Sequence, residues 1–303
     1  MTLLAVGSVA LDTVATPFGR REEILGGSAS YFGVAASYFT EVHLVGVVGE
    51  DFPARHIEFF HRKGIDTSGL ESRSGRTFRW HGEYGADFNT ARTLDTQLNV
   101  FADFAPTIRE EHRRLPFVFL GNIDPDLQRS VLRQMRRPAI TVCDTMNYWI
   151  ERKRDSLLET LALVDVLSIN DAEARQLAGE EALLRAADKI RALGPKTLVI
   201  KRGEHGALMF HGAARFGCPA FPLEHVVDPT GAGDSFAGGF CGYLAAANAS
   251  DEAAMRKAVA FGTVMASFTV SEFGVERLGD LTYPEIEARY RELRRFAYFD
   301  DIE

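Results

Sequence analysis

The run Asp228-Pro229-Thr230-Gly231-Ala232-Gly233-Asp234-Ser235-Phe236 sets a carboxylate beside three small residues where an apolar helical pattern begins. Small residues let the backbone come close to a ligand, and a helix start presents unpaired N–H groups and the positive end of its dipole. Such a turn can hold an anion. A carboxylate at its mouth, Asp234, is badly placed to bind that anion and well placed to take a proton from an attacking hydroxyl. The pairing points to phosphoryl transfer. The bland alternative is a Gly-rich strand-to-helix turn with an acid favoured by the dipole.

Three further groups sit where chemistry is expected. Asn170-Asp171-Ala172-Glu173 follows the apolar run Val166–Ile169 and so lies at a strand's carboxyl end, where open α/β sheets bind ligands. The same residues can form an N-cap and capping box, and the two roles are compatible. Lys201-Arg202-Gly203 closes the run Leu198–Lys201 and reads either as a phosphate-side turn or as a solvated one. Asp12 follows the first apolar run, and Gly26-Gly27 opens a helix, an arrangement that brings backbone close to a polyol or ribose; otherwise Asp12 is a solvated turn acid. Asn99 and Asn122 are polar candidates near the same cleft, or simple turn residues.

The elements that must position these groups alternate. Strands are expected near Leu3–Val9, Val42–Val48, Phe117–Leu120, Ile140–Cys143, Val166–Ile169 and Leu198–Lys201. Helices are expected over Ser28–Tyr38, Pro53–Lys63, Pro125–Met135, Asp171–Ala178, Glu181–Leu193, Ala232–Ala247, Asp251–Val270 and Pro284–Phe296. That order implies an α/β fold with a mostly parallel sheet covered on both faces. Within Ala232–Ala247, Phe236, Phe240 and Leu244 recur every fourth residue and mark a buried stripe. Residues 13–25 and 74–102 break the rhythm: Phe78, Trp80, Tyr84, Phe88 and Phe101 are interleaved with polar residues there. These two excursions read as a small separate sheet, which either covers a site or forms an ordinary hairpin.

Composition sets the class. With 303 residues, 46% hydrophobic, the chain can bury a large core and reads as one α/β domain over 1–303. A net charge of −8 argues against nucleic-acid and anionic-membrane partners and for a small-molecule substrate. Three widely spaced cysteines, Cys143, Cys218 and Cys241, show no metal-ligand spacing and read as buried thiols of a cytoplasmic protein. The N-terminus lacks the basic n-region of a signal peptide, and no apolar stretch is long enough to span a membrane. No Gly-Lys dipeptide occurs, so there is no P-loop, and the glycine spacing of Rossmann and protein-kinase loops is missing.

Taken together, the run at 228–236, Gly26-Gly27-Ser28-Ala29-Ser30 leading into a small-residue helix, and Asn170-x-x-Glu173 resemble the ribokinase family, also called the phosphofructokinase B (PfkB) family, over nearly the whole chain. The resemblance implies a ribokinase-like three-layer sandwich with a small β-sheet lid. It also implies an ATP- and Mg2+-dependent kinase that phosphorylates a primary hydroxyl. In that reading Asp234 is the base, and the amides of Gly231, Ala232 and Gly233 form the anion hole. Asn170, Lys201, Gly203, Thr230 and Gly274 meet the nucleotide, and Glu173 holds magnesium through water. Asp12, Gly26, Gly27, Tyr31 and Asn99 meet the acceptor, with Tyr31 standing where many members have a sugar-contacting asparagine. A monovalent cation (K+) near Asp228, and assembly as a monomer or a lid-paired homodimer, stay open.

The acceptor is less constrained. A lid bearing Phe78, Trp80 and Tyr84 could stack on a nucleobase, which favours a nucleoside such as adenosine slightly over a free sugar such as ribose or fructose. A catalytically idle family member that binds nucleotide or metabolite as a sensor is the alternative of another class.

Overall fold

Along the central strands, successive side chains face opposite ways and sort into two apolar clusters: Leu3, Ala5, Phe117 and Phe119 join one, Leu4, Val6, Val118 and Leu120 the other. A sheet buried on both faces follows. In the computed structural model, which describes residues 1–85, 88 and 90–300, that sheet has nine strands. They are β1 (Leu3–Val6), β4 (Val42–Gly49), β5 (Ile65–Arg73), β8 (Phe117–Leu120), β9 (Ile140–Asp144), β10 (Val166–Asn170), β11 (Thr197–Lys201), β12 (Ala207–His211) and β13 (Ala214–Cys218), in the order β13-β12-β11-β10-β9-β8-β1-β4-β5. Seven run parallel; β12 and β13 close one edge antiparallel.

Eleven helices are described. One face is covered by α1 (Ser28–Ala36), α8 (Ala232–Ala247), α9 (Glu252–Thr269) and α11 (Tyr283–Phe296), and the other by α3 (Pro125–Gln134), α5 (Arg154–Leu161), α6 (Asp171–Ala178) and α7 (Leu183–Arg191). Shorter or peripheral helices are α2 (Ala54–Arg62), α4 (Asn147–Arg152) and α10 (Glu276–Gly279). Helix α8 carries the expected stripe: Phe236, Phe240 and Leu244 are all buried. Each contributes about 1.5–3 kcal/mol by leaving water, and Phe240→Ala should remove about 3–5 kcal/mol. That anchorage holds the helix start in place.

A second sheet of four strands, β3-β2-β6-β7, stands apart, built from β2 (Ala10–Thr16), β3 (Gly19–Gly26), β6 (Phe78–Tyr84) and β7 (Ala91–Gln97). It corrects three expectations. The first strand ends at Val6, not Val9; the small sheet begins at Ala10; and Asp12 lies inside β2, not in a turn. Of the second excursion, residues 86, 87 and 89 lie outside the described residues.

Strands β5, β12 and β13 and helices α4 and α5 were not expected. The three strands lie at or near the sheet edges; β5 and β13 mix buried, half-buried and exposed positions without a continuous apolar run, and the run of β12, Ala207 to Phe210, is only four residues. The two helices are short and are separated by Lys153 at φ −135°, which breaks the 3.6-residue period.

Candidate active site

The residues singled out converge at the carboxyl ends of the parallel strands. Asn170 and Lys201 are register partners at the ends of β10 and β11, and Asp144 ends β9 beside them. In front of these strand ends, Gly231 caps α8 in the left-handed region (φ 74°), where a side chain would be strained and would run into the Tyr31 ring. No side chain caps this helix start. The Ala232 N–H donates to Pro229 O (3.2 Å) and the Ser235 N–H to Gly231 O (2.8 Å). The amides of Gly231, Gly233 and Asp234 have no protein partner among the described residues, so these three, without Ala232, are the donors free for an anion.

Charge is concentrated behind that turn. Lys201 Nζ donates to Asp144 Oδ2 at 2.8 Å and lies 3.0 Å from where a Cβ on Gly233 would sit. Burial lowers the lysine's proton affinity, but Asp144 and Glu173 outweigh it and raise the pKa, so the ammonium stays charged. Burial raises Asp234 to about 7, Asp144 pushes the same way, and Lys201 opposes. Glu173 is likewise pushed up to about 7 by burial and then by Asp144, against Lys201. Three carboxylates share one ammonium there, an excess of hard oxygen donors that fits Mg2+.

Glu173 also completes a capping box with Asn170: the Asn170 N–H donates to Glu173 Oε2 and the Glu173 N–H to Asn170 Oδ1, both at 2.8 Å. Asp144, 5% exposed, was not singled out from the sequence. The signal was available, since it ends a parallel strand exactly as Asn170 and Lys201 do, one residue past the expected end of that strand.

The opposite wall of the cleft comes from the small sheet and α1. Asp12 is 4% exposed and its pKa is pushed up to about 8 by burial, with the Gly27 amide opposing and Asp228 and Asp234 adding repulsion. A Cβ on Gly26 would occupy the space of the Asp12 carboxylate, and Gly27 (φ 90°) caps α1 where a Cβ would run into Ser8 O. Tyr31 is fully buried; burial, then the charges of Asp228, Asp12 and Asp234, raise its pKa, and its hydroxyl has no hydrogen-bond partner.

Asp228 ties two loops together, its Oδ1 accepting from the Thr230 N–H (2.9 Å) and its Oδ2 from the Gly274 N–H (3.1 Å). Tyr84, at the end of β6, reaches across so that its hydroxyl lies 3.4 Å from Thr230 Oγ1. Asp12 pairs with Trp80 across β2 and β6, so the indole shares the face of the small sheet that carries Asp12. Trp80 Nε1 donates to Thr93 Oγ1 on β7 (3.2 Å), which holds the ring flat over Gly82.

Two candidates do not join the cluster. The Asn99 amide donates to Thr77 O (2.9 Å) and fastens the end of the small sheet to its base, and Asn122 Oδ1 accepts from Trp149 Nε1 (2.9 Å). Gly203 is exposed in a short turn just past β11 (φ 53°). Among the described residues no helix is long and apolar enough to cross a membrane.

The pfkB family carbohydrate kinase model matches residues 12–278. The cytidine kinase of Thermococcus kodakarensis is 32% identical over 245 residues, 79% of this chain and 87% of that protein. Among solved structures, aminoimidazole riboside kinase from Salmonella enterica, complexed with aminoimidazole riboside and an ATP analogue, superposes with TM-score 0.76 at 21% identity, covering 96% of this chain and 100% of that one. A nucleoside kinase of Methanocaldococcus jannaschii, an archaeal member of the ribokinase family, superposes with TM-score 0.77 at 20% identity, covering 96% and 98%.

Proposed function

The chain belongs to the pfkB family of carbohydrate kinases, a sugar or nucleoside phosphotransferase acting on an alcohol group, and from that premise we propose that it moves the γ-phosphate of ATP to the primary hydroxyl of a nucleoside in preference to a free sugar. Asp12 takes hydroxyls of the ribosyl ring, and the partnerless Tyr31 hydroxyl donates to a substrate oxygen beside it. Asp234 accepts the proton of the attacking primary hydroxyl as the new O–P bond forms. Its raised pKa suits a base working near neutral pH. The amides of Gly231 and Gly233 receive the charge that spreads over the phosphoryl oxygens, and Lys201, held by Asp144, reinforces them from below.

Asn170, Gly203, Thr230 and Gly274 are assigned to the nucleotide side of the same cleft. Glu173 and Asp144 would hold Mg2+, largely through water, which supplies charge neutralisation for the triphosphate. The transfer is direct and in line, with no covalent enzyme intermediate.

The nucleoside preference rests on one observation. The register Asp12↔Trp80 puts an aromatic plane on the face that carries the hydroxyl-binding carboxylate, where stacking on a base is worth about 1–3 kcal/mol. The cytidine kinase relative supports the same reading. The test is ATP turnover with cytidine, adenosine, ribose and fructose. A higher kcat/KM for nucleosides is expected, and equal or better turnover of a free sugar removes the preference. Binding of ATP and nucleoside with no turnover of any acceptor would make the chain a sensor instead.

A further inference from the structure

Far from the strand carboxyl ends, at the opposite edge of the main sheet, three metal-ligating side chains meet. His43 is the second residue of β4 and Asp66 the second of β5, and the parallel register pairs them directly. His112 comes from a single 3-10 turn at Glu110–Arg114 that folds back over this edge. His43 Nδ1 lies 2.7 Å from Asp66 Oδ2, and His112 Nε2 lies 3.5 Å from the same oxygen. One ligand atom from each residue falls within 4.8 Å of the other two. The two imidazoles lie 4.4 Å apart, tilted by 46°.

Hydrogen bonding alone leaves this cluster incomplete. The His112 side chain is 6% exposed, yet among the described residues its Nδ1 has no hydrogen-bond partner and its Nε2 meets only Asp66 Oδ2, at 3.5 Å. A buried polar nitrogen in that state costs about 1–3 kcal/mol.

We propose that His43, Asp66 and His112 form a divalent transition-metal site of the Zn2+ class, separate from the phosphoryl-transfer centre. Two imidazole nitrogens and one carboxylate oxygen are borderline donors that suit Zn2+ or Co2+ better than Mg2+. A tetrahedral ion about 2.0–2.2 Å from each ligand spaces them about 3.3–3.6 Å apart; the His112–Asp66 separation of 3.5 Å already matches, and His43 would exchange its 2.7 Å hydrogen bond to Asp66 for the ion. Water completes the coordination, because Asp66 is 33% exposed and leaves one side open to solvent.

Supporting contacts surround the three ligands. Ser68 holds the carboxylate, donating through its N–H to Oδ1 (2.7 Å) and through Oγ to Oδ2 (2.9 Å). On the far side of His43, Nε2 faces Glu41 Oε1 at 3.7 Å, the carboxylate–histidine arrangement that orients a metal-bound imidazole. The role is structural: the ion would join the Arg109 Nη1–Ser68 O hydrogen bond (3.1 Å) in holding the 110–114 turn to β5 and would tie it to β4 as well. Six residue steps along β4 from His43 to Gly49, about 20 Å at the usual rise, separate it from the carboxyl end of that strand.

The test titrates the purified full-length chain with Co2+ and with Zn2+. The wild type should bind one equivalent of Co2+ with visible d–d absorption, lose that absorption when Zn2+ displaces it, and melt at a higher temperature with Zn2+ than with chelator. His112→Gln should weaken binding at least tenfold and abolish the Zn2+-dependent shift in melting temperature, while Asp234→Asn should bind as the wild type does. Absence of d–d bands in the wild type overturns the proposal whatever the variants do. So does equal affinity in His112→Gln, or loss of binding in Asp234→Asn, which would place the ion in the cleft.

Discussion

If the cleft works as proposed, its phosphate and acceptor walls are built by different means. The phosphate wall consists of backbone amides at the start of α8, strand ends of the main sheet, and the buried Lys201–Asp144 pair. The acceptor wall is side chains, Asp12, Trp80 and Tyr84, carried on a separate four-stranded sheet whose outer strand β7 is largely exposed. A phosphoryl group presents the same charge in every reaction of this kind, so a rigid frame anchored by Phe236, Phe240 and Leu244 suits it. The acceptor varies, and variation is cheapest on a sheet that contributes little to the core.

That contrast can be broken in several places. Asp234→Asn should lower kcat about 10²–10⁴-fold while leaving ATP affinity and fold nearly unchanged, as judged by single-turnover kinetics and ATP titration. Retained phosphorylation in that variant would end the assignment of the phosphate wall as the chemical one. Removing Lys201 strands Asp144 among carboxylates, and Lys201→Ala should destabilise the protein by about 3–5 kcal/mol in urea titration. A loss below 1 kcal/mol would mean that the wall is less rigid than its burial implies.

The pH profile follows from the sign of the shift at Asp234. The base must be ionised, and its pKa is raised to about 7, so kcat/KM should fall about tenfold per pH unit below that value and level off above it. A profile flat down to pH 5 would place the working pKa elsewhere. On the acceptor wall, Trp80→Ala should raise KM about tenfold for a nucleoside and much less for ribose. Equal changes for both would leave the indole a structural member of the small sheet.

The smallest effect is thermodynamic. In the unfolded chain Asp12 ionises near 3.8, in the folded one near 8, so the folded state holds a proton that the unfolded state has lost. The stabilisation linked to that proton therefore declines as pH rises through this window and is gone above about 8. Glu173 and Asp234 act alike but finish near 7. Melting temperature in the wild type should still fall between pH 7 and 8, and in Asp12→Asn that last decline should vanish.

Legibility in the sequence follows the same division. The phosphate wall could be read because its groups are contiguous: Gly231 through Asp234 are four successive residues, and Asn170 and Lys201 each end an apolar run. Asp144 was overlooked although it obeys that rule. The acceptor wall is less legible: Asp12 lies within β2, which excludes the alternative of a solvated turn acid, and the Asn99 amide donates to Thr77 O. The alternation in β2 and β6 is broken by register shifts, which hides a half-exposed strand from a period-2 search.

What the sequence determined by itself is the α/β alternation and the small-residue turn at a helix start with Asp234 beside it, because each depends on residues close together in the chain. What only the tertiary structure decided is which distant groups share a space. Tyr31 lies under Gly231, Trp80 lies beside Asp12, Asp144 lies against Lys201, and His43, Asp66 and His112 meet at the far edge. Those meetings are set by strand order and register, and no local pattern of side chains encodes them.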